Sequence, residues 1–322
     1  MGALAGRAAM KATLIIVNYN GRRLLERSVP AAREAARRGG HRVVVADDGS
    51  TDGSVAFLQS QHPEVHVLRL RHAGFAEASN AAVAAADTDV VVLLNTDVIV
   101  SPDFLPPLLE DLAAPDVFAV GCKFVNPDGS LTDALGNRTS GSWEGGLLLI
   151  HHETNPERLR ARCPQLYANG GAMACQRAKW LALGGFQALY RPFYWEDVDL
   201  GYRAWGRGWQ VLYEPDSVVV HEQGSTIGRL YDREWVELMS AKNAVLFSWR
   251  NLLDPAAFRR ALCSQARWAA DDVLIDGLPP RTRALWAALR QVREAARGRA
   301  EEARERTCSD AEILFRSRGG AA

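Results

Sequence analysis

The stretch Val90-Val91-Val92-Leu93-Leu94-Asn95-Thr96-Asp97 decides how this chain is read. An unbroken run of β-branched residues and leucines has the character of a strand covered on both faces, as in parallel sheets flanked by helices. In open sheets of that kind, ligands bind just beyond the carboxyl ends of the strands, where Asn95, Thr96 and Asp97 fall. Taken alone, Asp97 is either a ligand-binding carboxylate or a loop residue that caps the helix after Pro102.

Working outward toward the amino terminus, strand-like runs alternate with helical patterns. Thr13–Val17 precedes a helix within Arg22–Arg38, Val43–Ala46 precedes a helix from Asp52, and Val65–Leu70 precedes a helix within Phe75–Ala86. The alternation predicts an α/β fold with a doubly wound, mostly parallel sheet. The loop after the first strand, Asn18-Tyr19-Asn20-Gly21, lacks G-x-G-x-x-G and so argues against a dinucleotide cofactor. Beyond Asp97 the regularity loosens into a Gly-, Asn- and Ser-rich segment from Asn126 to Gly146, and long loops in compact domains are usually functional. Order returns at Leu166–Cys175, followed by a short helix, a Gly184-Gly185-Phe186 turn and the acidic helix start Glu196-Asp197-Val198-Asp199-Leu200. From Glu234 the pattern is helical, broken at Asp254-Pro255 and at Gly277-Leu278-Pro279-Pro280. The expected division is a disordered leader (1–10), a catalytic α/β domain (11–233) and a helical extension (234–322).

At 322 residues, 48% of them apolar, the chain can bury one large core. Lys and Arg (38) balance Asp and Glu (38), so no basic field points to a nucleic-acid partner. The five cysteines are odd in number and form no C-x-x-C pair, which fits a reducing, cytoplasmic setting. No apolar run approaches the roughly 20 residues that span a bilayer.

Four pieces line up in order. Val17-Asn18-Tyr19-Asn20 and Ala46-Asp47-Asp48-Gly49-Ser50-Thr51-Asp52 follow the first two strands, Asn95-Thr96-Asp97 follows the fourth, and Glu196-Asp197-Val198-Asp199 opens a later helix with His221 downstream. The set resembles the inverting glycosyltransferases of family two, of GT-A fold, and most closely the rhamnosyltransferase-like branch of bacterial surface polysaccharide synthesis. The resemblance implies transfer of a sugar from a UDP- or TDP-sugar to a hydroxyl of a saccharide or lipid-linked acceptor. It also implies a divalent cation, manganese or magnesium, that neutralises the leaving diphosphate as a Lewis acid.

On that resemblance Asp97 is the metal ligand, matching the last Asp of the D-x-D motif, with Asn95 in place of the first Asp and Thr96 between them. His221, ending the apolar run Val218-Val219-Val220, either completes the metal's shell or is structural. Asp48 matches the Asp that accepts from the pyrimidine ring N–H, and Val17 and Asn20 cup the same base, although Asn20 reads equally as a turn residue. Asp52 reads as a helix cap. His72-Ala73-Gly74-Phe75-Ala76-Glu77-Ala78-Ser79-Asn80 resembles the N-x-G-F-A-x-x-x-N segment, which assigns Gly74 and Asn80 to donor contact and leaves Phe75 to the core.

Inverting transfer also needs a base for the acceptor hydroxyl. Asp197 matches the E-D motif and is that base, Glu196 supports it, and Phe193, Tyr194 and Trp195 can wall a sugar site. A helix start enriched in acids for its dipole is the plainer account of Glu196 and Asp199. Gly170 and Gly171 resemble the segment shaping the acceptor side, though a bend in a strand would look the same. In the extension, Leu285, Leu289 and Val292 fall on one face of an Arg-rich helix spanning Arg281–Arg306, which suits either packing against the catalytic domain, a homodimer, or peripheral contact with an anionic membrane. Two other functions compete: a sugar-nucleotide binding protein without turnover, given Asn95, and a nucleotidyltransferase, whose Gly-rich phosphate loop this chain lacks.

Overall fold

The computed structural model describes residues 10–132, 137–222, 231–272 and 280–320; the leader 1–9 and the expected break at 277–279 lie outside them. The first half runs β1 (Ala12–Asn18), α1 (Arg22–Gly39), β2 (Arg42–Asp47), α2 (Ser54–Gln61), β3 (His66–Arg69), α3 (Phe75–Ala85) and β4 (Val90–Asn95). After these come β5 (Val98–Val100), α4 (Leu105–Leu112), β6 (Val117–Val125), the hairpin β7 (Thr139–Glu144) and β8 (Leu147–His152), β9 (Cys163–Pro164), β10 (Ala172–Gln176) and α5 (Arg177–Ala182). A 3-10 turn (Ala188–Tyr190), α6 (Glu196–Gly206) and β11 (Gln210–His221) complete the sheet domain, and α7 (Arg233–Asn251), α8 (Pro255–Asp272), α9 (Pro280–Leu289), α10 (Val292–Glu305) and α11 (Asp310–Ser317) follow.

The main sheet has the order β3-β2-β1-β4-β10-β6-β11-β5, with β9 joined to β11. β3, β2, β1 and β4 are parallel throughout, as the alternation predicts. Past β4 the sheet is mixed, because β10 runs antiparallel to both β4 and β6 and β5 runs antiparallel to β11. Side chains alternate across the strands. Ile15, Val17, Val91 and Leu93 join one core with α3, α6 and α7, whereas Leu14, Ile16, Val92 and Leu94 join a second with α1 and α4. Both faces of β1 and β4 are therefore buried, which is why their sequences are apolar without alternation.

Val17 is a core residue whose side chain is buried and whose backbone lies in register between Ala46 and Asn95, just before the turn that follows β1. One expectation needs correction here. Arg281–Arg306 is not one helix: α9 ends at Leu289 and α10 starts at Val292, and Leu285 is buried while Leu289 and Val292 are exposed. The intervening turn breaks the phase that a continuous 3.6-residue period would keep. Among the described residues no helix is long and apolar enough to cross a membrane.

Candidate active site

β4 ends at Asn95, and Thr96 and Asp97 form the tight turn into β5, so Asp97 caps no helix; α4 begins only at Leu105 and has no side-chain cap. Pairing of β5 with β11 sets Val98 opposite His221. As a result His221 Nε2 lies 3.4 Å from Asp97 Oδ2. Asp97 is 6% exposed, and its Oδ1 is buried with no hydrogen-bond partner. An orphaned carboxylate oxygen in the interior is costly, and a hard cation is a natural partner for it. The pair therefore fits a divalent metal. Among the described residues no cluster of three or more His, Cys, Asp or Glu surrounds the position, so these two would be its protein ligands.

Asp97 and Asp197 belong to one site because of the segment before β10. Asn95 N–H donates to Gly171 O at 2.8 Å, and Gly170 N–H donates to Asp197 Oδ2 at 3.1 Å. A Cβ on Gly171 would come 3.0 Å from the Asn95 side-chain nitrogen and 2.9 Å from Asn169 Oδ1, so a larger residue here would push both side chains aside. Thr96 is buried against Gly21.

At the neighbouring strand end, Asp47 accepts from Asn18 Nδ2 and from Ser50 N–H, each at 3.0 Å or less. Asp48, 2% exposed, is fully engaged: Oδ1 accepts from Ala73 N–H (2.8 Å), while Oδ2 accepts from Gly74 N–H (2.9 Å) and faces His72 Nδ1 (2.8 Å). The amides that open α3 thus already hold an anion, and that anion is Asp48. Gly74, at φ 103°, adopts a backbone conformation only glycine takes easily. Asn20 is a turn residue that accepts from Thr51 N–H at 2.7 Å, and Asp52 accepts from Ser54 N–H and Arg22 N–H, bracing α2 against α1. Asn80 has a structural role as well: its Nδ2 donates to Phe186 O at 2.8 Å and its Oδ1 accepts from Phe186 N–H at 2.9 Å, so it clasps α3 to the Gly185-Phe186 turn.

Asp197 Oδ1 also accepts from Val198 N–H at 2.8 Å. Glu196 is 8% exposed, and burial followed by the charge of Asp197 pushes its carboxyl up from the ordinary 4.5 to about 8. Burial raises Asp197 as well, opposed by its backbone hydrogen bonds from Gly170 and Val198. Burial and the neighbouring charge favour the protonated form of Glu196, while the backbone N–H donors on Asp197 favour its ionised form against the upward push of burial. Asp199 does different work: buried with Arg203 at 2.6 Å and bonded by the Tyr190 hydroxyl and Asn251, it is held below the ordinary carboxylate range by Arg203 and Arg250 despite burial.

Of the aromatics before this pair, Phe193 is buried against Tyr231 and Trp235, Trp195 leans on Phe247, and Tyr194 remains exposed. Two features escaped the sequence. His72 stacks on Tyr19 with centroids 4.1 Å apart and rings 17° from parallel, placing a flat wall beside Asp48. Tyr167 is fully buried, its phenol pushed well up by burial and by the charges of Asp197 and Glu196. An aromatic directly after β1 was the available signal for the first; nothing local marks the second.

Comparison with known proteins agrees with this geometry. The chain is 30% identical over 211 residues to an N-acetylglucosaminyl-diphospho-decaprenol L-rhamnosyltransferase of Mycobacterium tuberculosis, spanning 58% of this chain and 68% of that protein. It is 28% identical over 241 residues to a pre-mycofactocin glycosyltransferase of the same organism, of which it spans 46%. Among solved structures it is similar to GalNAc-T7 with UDP, GalNAc and Mn2+ (TM-score 0.66, 17% identity, 97% of this chain but 57% of that one). It is also similar to a mannosyltransferase from Pyrobaculum calidifontis with GDP-Man and Mn2+ (TM-score 0.54, 20% identity, 92% and 86%). The fold is thus of the GT-A type, and the protein is a glycosyltransferase. The profile described as Glycosyl transferase family 2 matches residues 13–183, more than half of the chain and all the strand ends that carry Asp48, Asn95, Asp97 and Gly171, so the chain belongs to glycosyl transferase family 2.

Proposed function

We propose that this protein is a metal-dependent inverting glycosyltransferase, in which Asp197 takes the proton of an acceptor hydroxyl. The observation that carries the proposal is the Gly170-Gly171 link, which holds Asp197 and the strand end bearing Asp97 on one site. Asp97 and His221 would hold a divalent cation, which when bound offsets the charge of the donor diphosphate. The Thr96–Asp97 turn would lie against the donor. Asp197, held by two amides and ionised beside protonated Glu196, accepts the acceptor's proton as its oxygen bonds to the anomeric carbon and the diphosphate leaves from the opposite face. Gly170 and Gly171 leave room for the acceptor, and Tyr194 and Trp195 offer rings on which a sugar can stack.

Asp48 supports a pyrimidine donor indirectly, by fixing His72 and the loop beside Tyr19. A UDP- or TDP-sugar donor and a saccharide or lipid-linked acceptor in cell-surface polysaccharide synthesis follow the rhamnosyltransferase relative. Trp286 and Leu289, exposed on α9 beside Arg283 and Arg290, suit peripheral contact with an anionic membrane that carries such an acceptor. Incubation with UDP-glucose and with TDP-rhamnose, with and without manganese, tests the proposal. Nucleoside diphosphate release that needs the metal supports it; formation of UTP or TTP and a sugar-1-phosphate when pyrophosphate is added would instead make the protein a nucleotidyltransferase, and stabilisation without release a binding protein.

A further inference from the structure

The residues immediately before Glu196 and Asp197 hold a conformation that their own chemistry disfavours. Tyr194 and Trp195 both have positive φ, 67° and 78°, where a Cβ crowds the backbone. Bulky residues stay in that region only when their surroundings dictate it. Those surroundings come from the helical extension, outside the residues matched by the family profile.

Three side chains of the extension grip five carbonyls of the loop 189–194. Asn243 Nδ2, on α7, donates to Tyr190 O (2.6 Å), Phe193 O (2.9 Å) and Tyr194 O (3.0 Å). Lys242 Nζ donates to Arg191 O at 2.8 Å, and Gln291 Nε2, in the turn between α9 and α10, donates to Leu189 O at 3.1 Å. Lys242 Nζ also reaches Gln291 Oε1 at 3.2 Å, joining the two helical elements behind the loop. Asn243 is fully buried, and its Oδ1 has no partner, so its place in the core is justified only by the carbonyls its amide reaches. Asn251, two turns further along α7, anchors Asp199 Oδ1 at 2.8 Å and so fixes the first turn of α6 from the same helix.

We infer that Asn243, Lys242 and Gln291 are positioning residues for the transfer reaction: they form a clamp through which the extension sets the Tyr194-Trp195 turn and aims Asp197 at the acceptor. The inference rests on the assignment of Asp197 as base. None of the three touches the strand ends of β1, β2 and β4, so the clamp governs the acceptor and base half of the site and leaves the donor half unaffected. Misplacing a catalytic group by about 1 Å can cost about a hundredfold in rate.

The test uses the full chain. Asn243→Ala and Lys242→Met are compared with wild type in turnover of UDP-glucose and TDP-rhamnose, in UDP and TDP affinity with manganese, and in hydrogen exchange of residues 189–200. The clamp predicts a fall in kcat of about tenfold or more for Asn243→Ala and a smaller fall for Lys242→Met that Lys242→Arg restores. Diphosphate affinity should stay within about twofold of wild type, and exchange should quicken in 189–200 but not in β1 or β4. Full activity in both variants, or a loss of diphosphate affinity that matches the loss of kcat, overturns the clamp. If Asn243→Ala does not fold, the Lys242→Met and Lys242→Arg pair decides the matter by the same criteria. Asp197→Asn run alongside keeps the two assignments apart. An inert Asp197→Asn with a fully active Asn243→Ala overturns the clamp alone, whereas a normal Asp197→Asn overturns the base and removes the clamp's target.

Discussion

Replacing Glu196 by Gln should make the protein more stable as pH rises, although it removes a residue from the active site. In the unfolded chain the carboxyl ionises near 4.5, but in the fold burial and Asp197 raise it to about 8. Between those values the unfolded chain releases a proton that the folded one retains, so stability falls with rising pH across the window from about 4.5 to 8. Each tenfold difference in proton affinity is worth about 1.4 kcal/mol, which puts the loss at about 3 kcal/mol by pH 7 and about 5 kcal/mol once Glu196 is ionised in both states. Water entering beside an ionised Glu196 would reduce the larger figure first. Gln fills nearly the same volume and carries no charge at any pH. Urea unfolding of wild type and Glu196→Gln at pH 5, 6.5 and 8 measures the effect of the pair, since every titrating group beyond Glu196 and Asp197 is common to both. The two proteins should be within about 1 kcal/mol at pH 5, with the variant ahead by about 4 kcal/mol at pH 8. Parallel stability curves would refute both the high affinity of Glu196 for its proton and the assignment of Asp197 as the ionised member of the pair.

Other outcomes follow from the same geometry. Asp97→Ala should abolish turnover and the manganese-dependent part of UDP or TDP binding, as calorimetry with and without chelator will show; full activity in chelator would remove the metal from the account. Asp48→Ala leaves the amides of Ala73 and Gly74 unpaired, so it should cost about 3 kcal/mol in thermal unfolding as well as donor affinity. A variant with unchanged melting that binds UDP more weakly would instead return Asp48 to direct base contact. Asn80→Ala should lower stability by about 1–2 kcal/mol without changing diphosphate affinity, and a selective loss of affinity would restore its donor role.

The parallel half of the sheet was legible because its strands are buried on both faces. Ile15 and Val17 face one core and Leu14 and Ile16 the other, so the run is apolar throughout and its helices announce themselves between. The antiparallel course of β10 was not legible, since a residue's apolar character says nothing about the direction of its partner strand. The same limit hid the meeting of Asp97 and His221, which depends on the three-residue β5 pairing with a strand more than a hundred residues later. Asn80 and Asp48 were legible as important but not as to their role: amide and carboxylate groups serve backbone as readily as ligand, and only the distances to Phe186, Ala73 and Gly74 tell which. Asn243 left a faint mark, a polar residue ahead of Ala244-Val245-Leu246-Phe247 on a buried helix, where a partner is obligatory but unnamed.

The measurement that tests the central claim most directly is steady-state turnover of Asp197→Asn with UDP or TDP affinity measured on the same preparation. Asn nearly matches Asp in shape and cannot take the acceptor's proton. The account predicts diphosphate and manganese binding close to wild type with kcat lower by about a hundredfold or more, and a milder loss for Glu196→Gln. Near-normal turnover in Asp197→Asn, or a deeper loss in Glu196→Gln, would contradict it and place the base elsewhere.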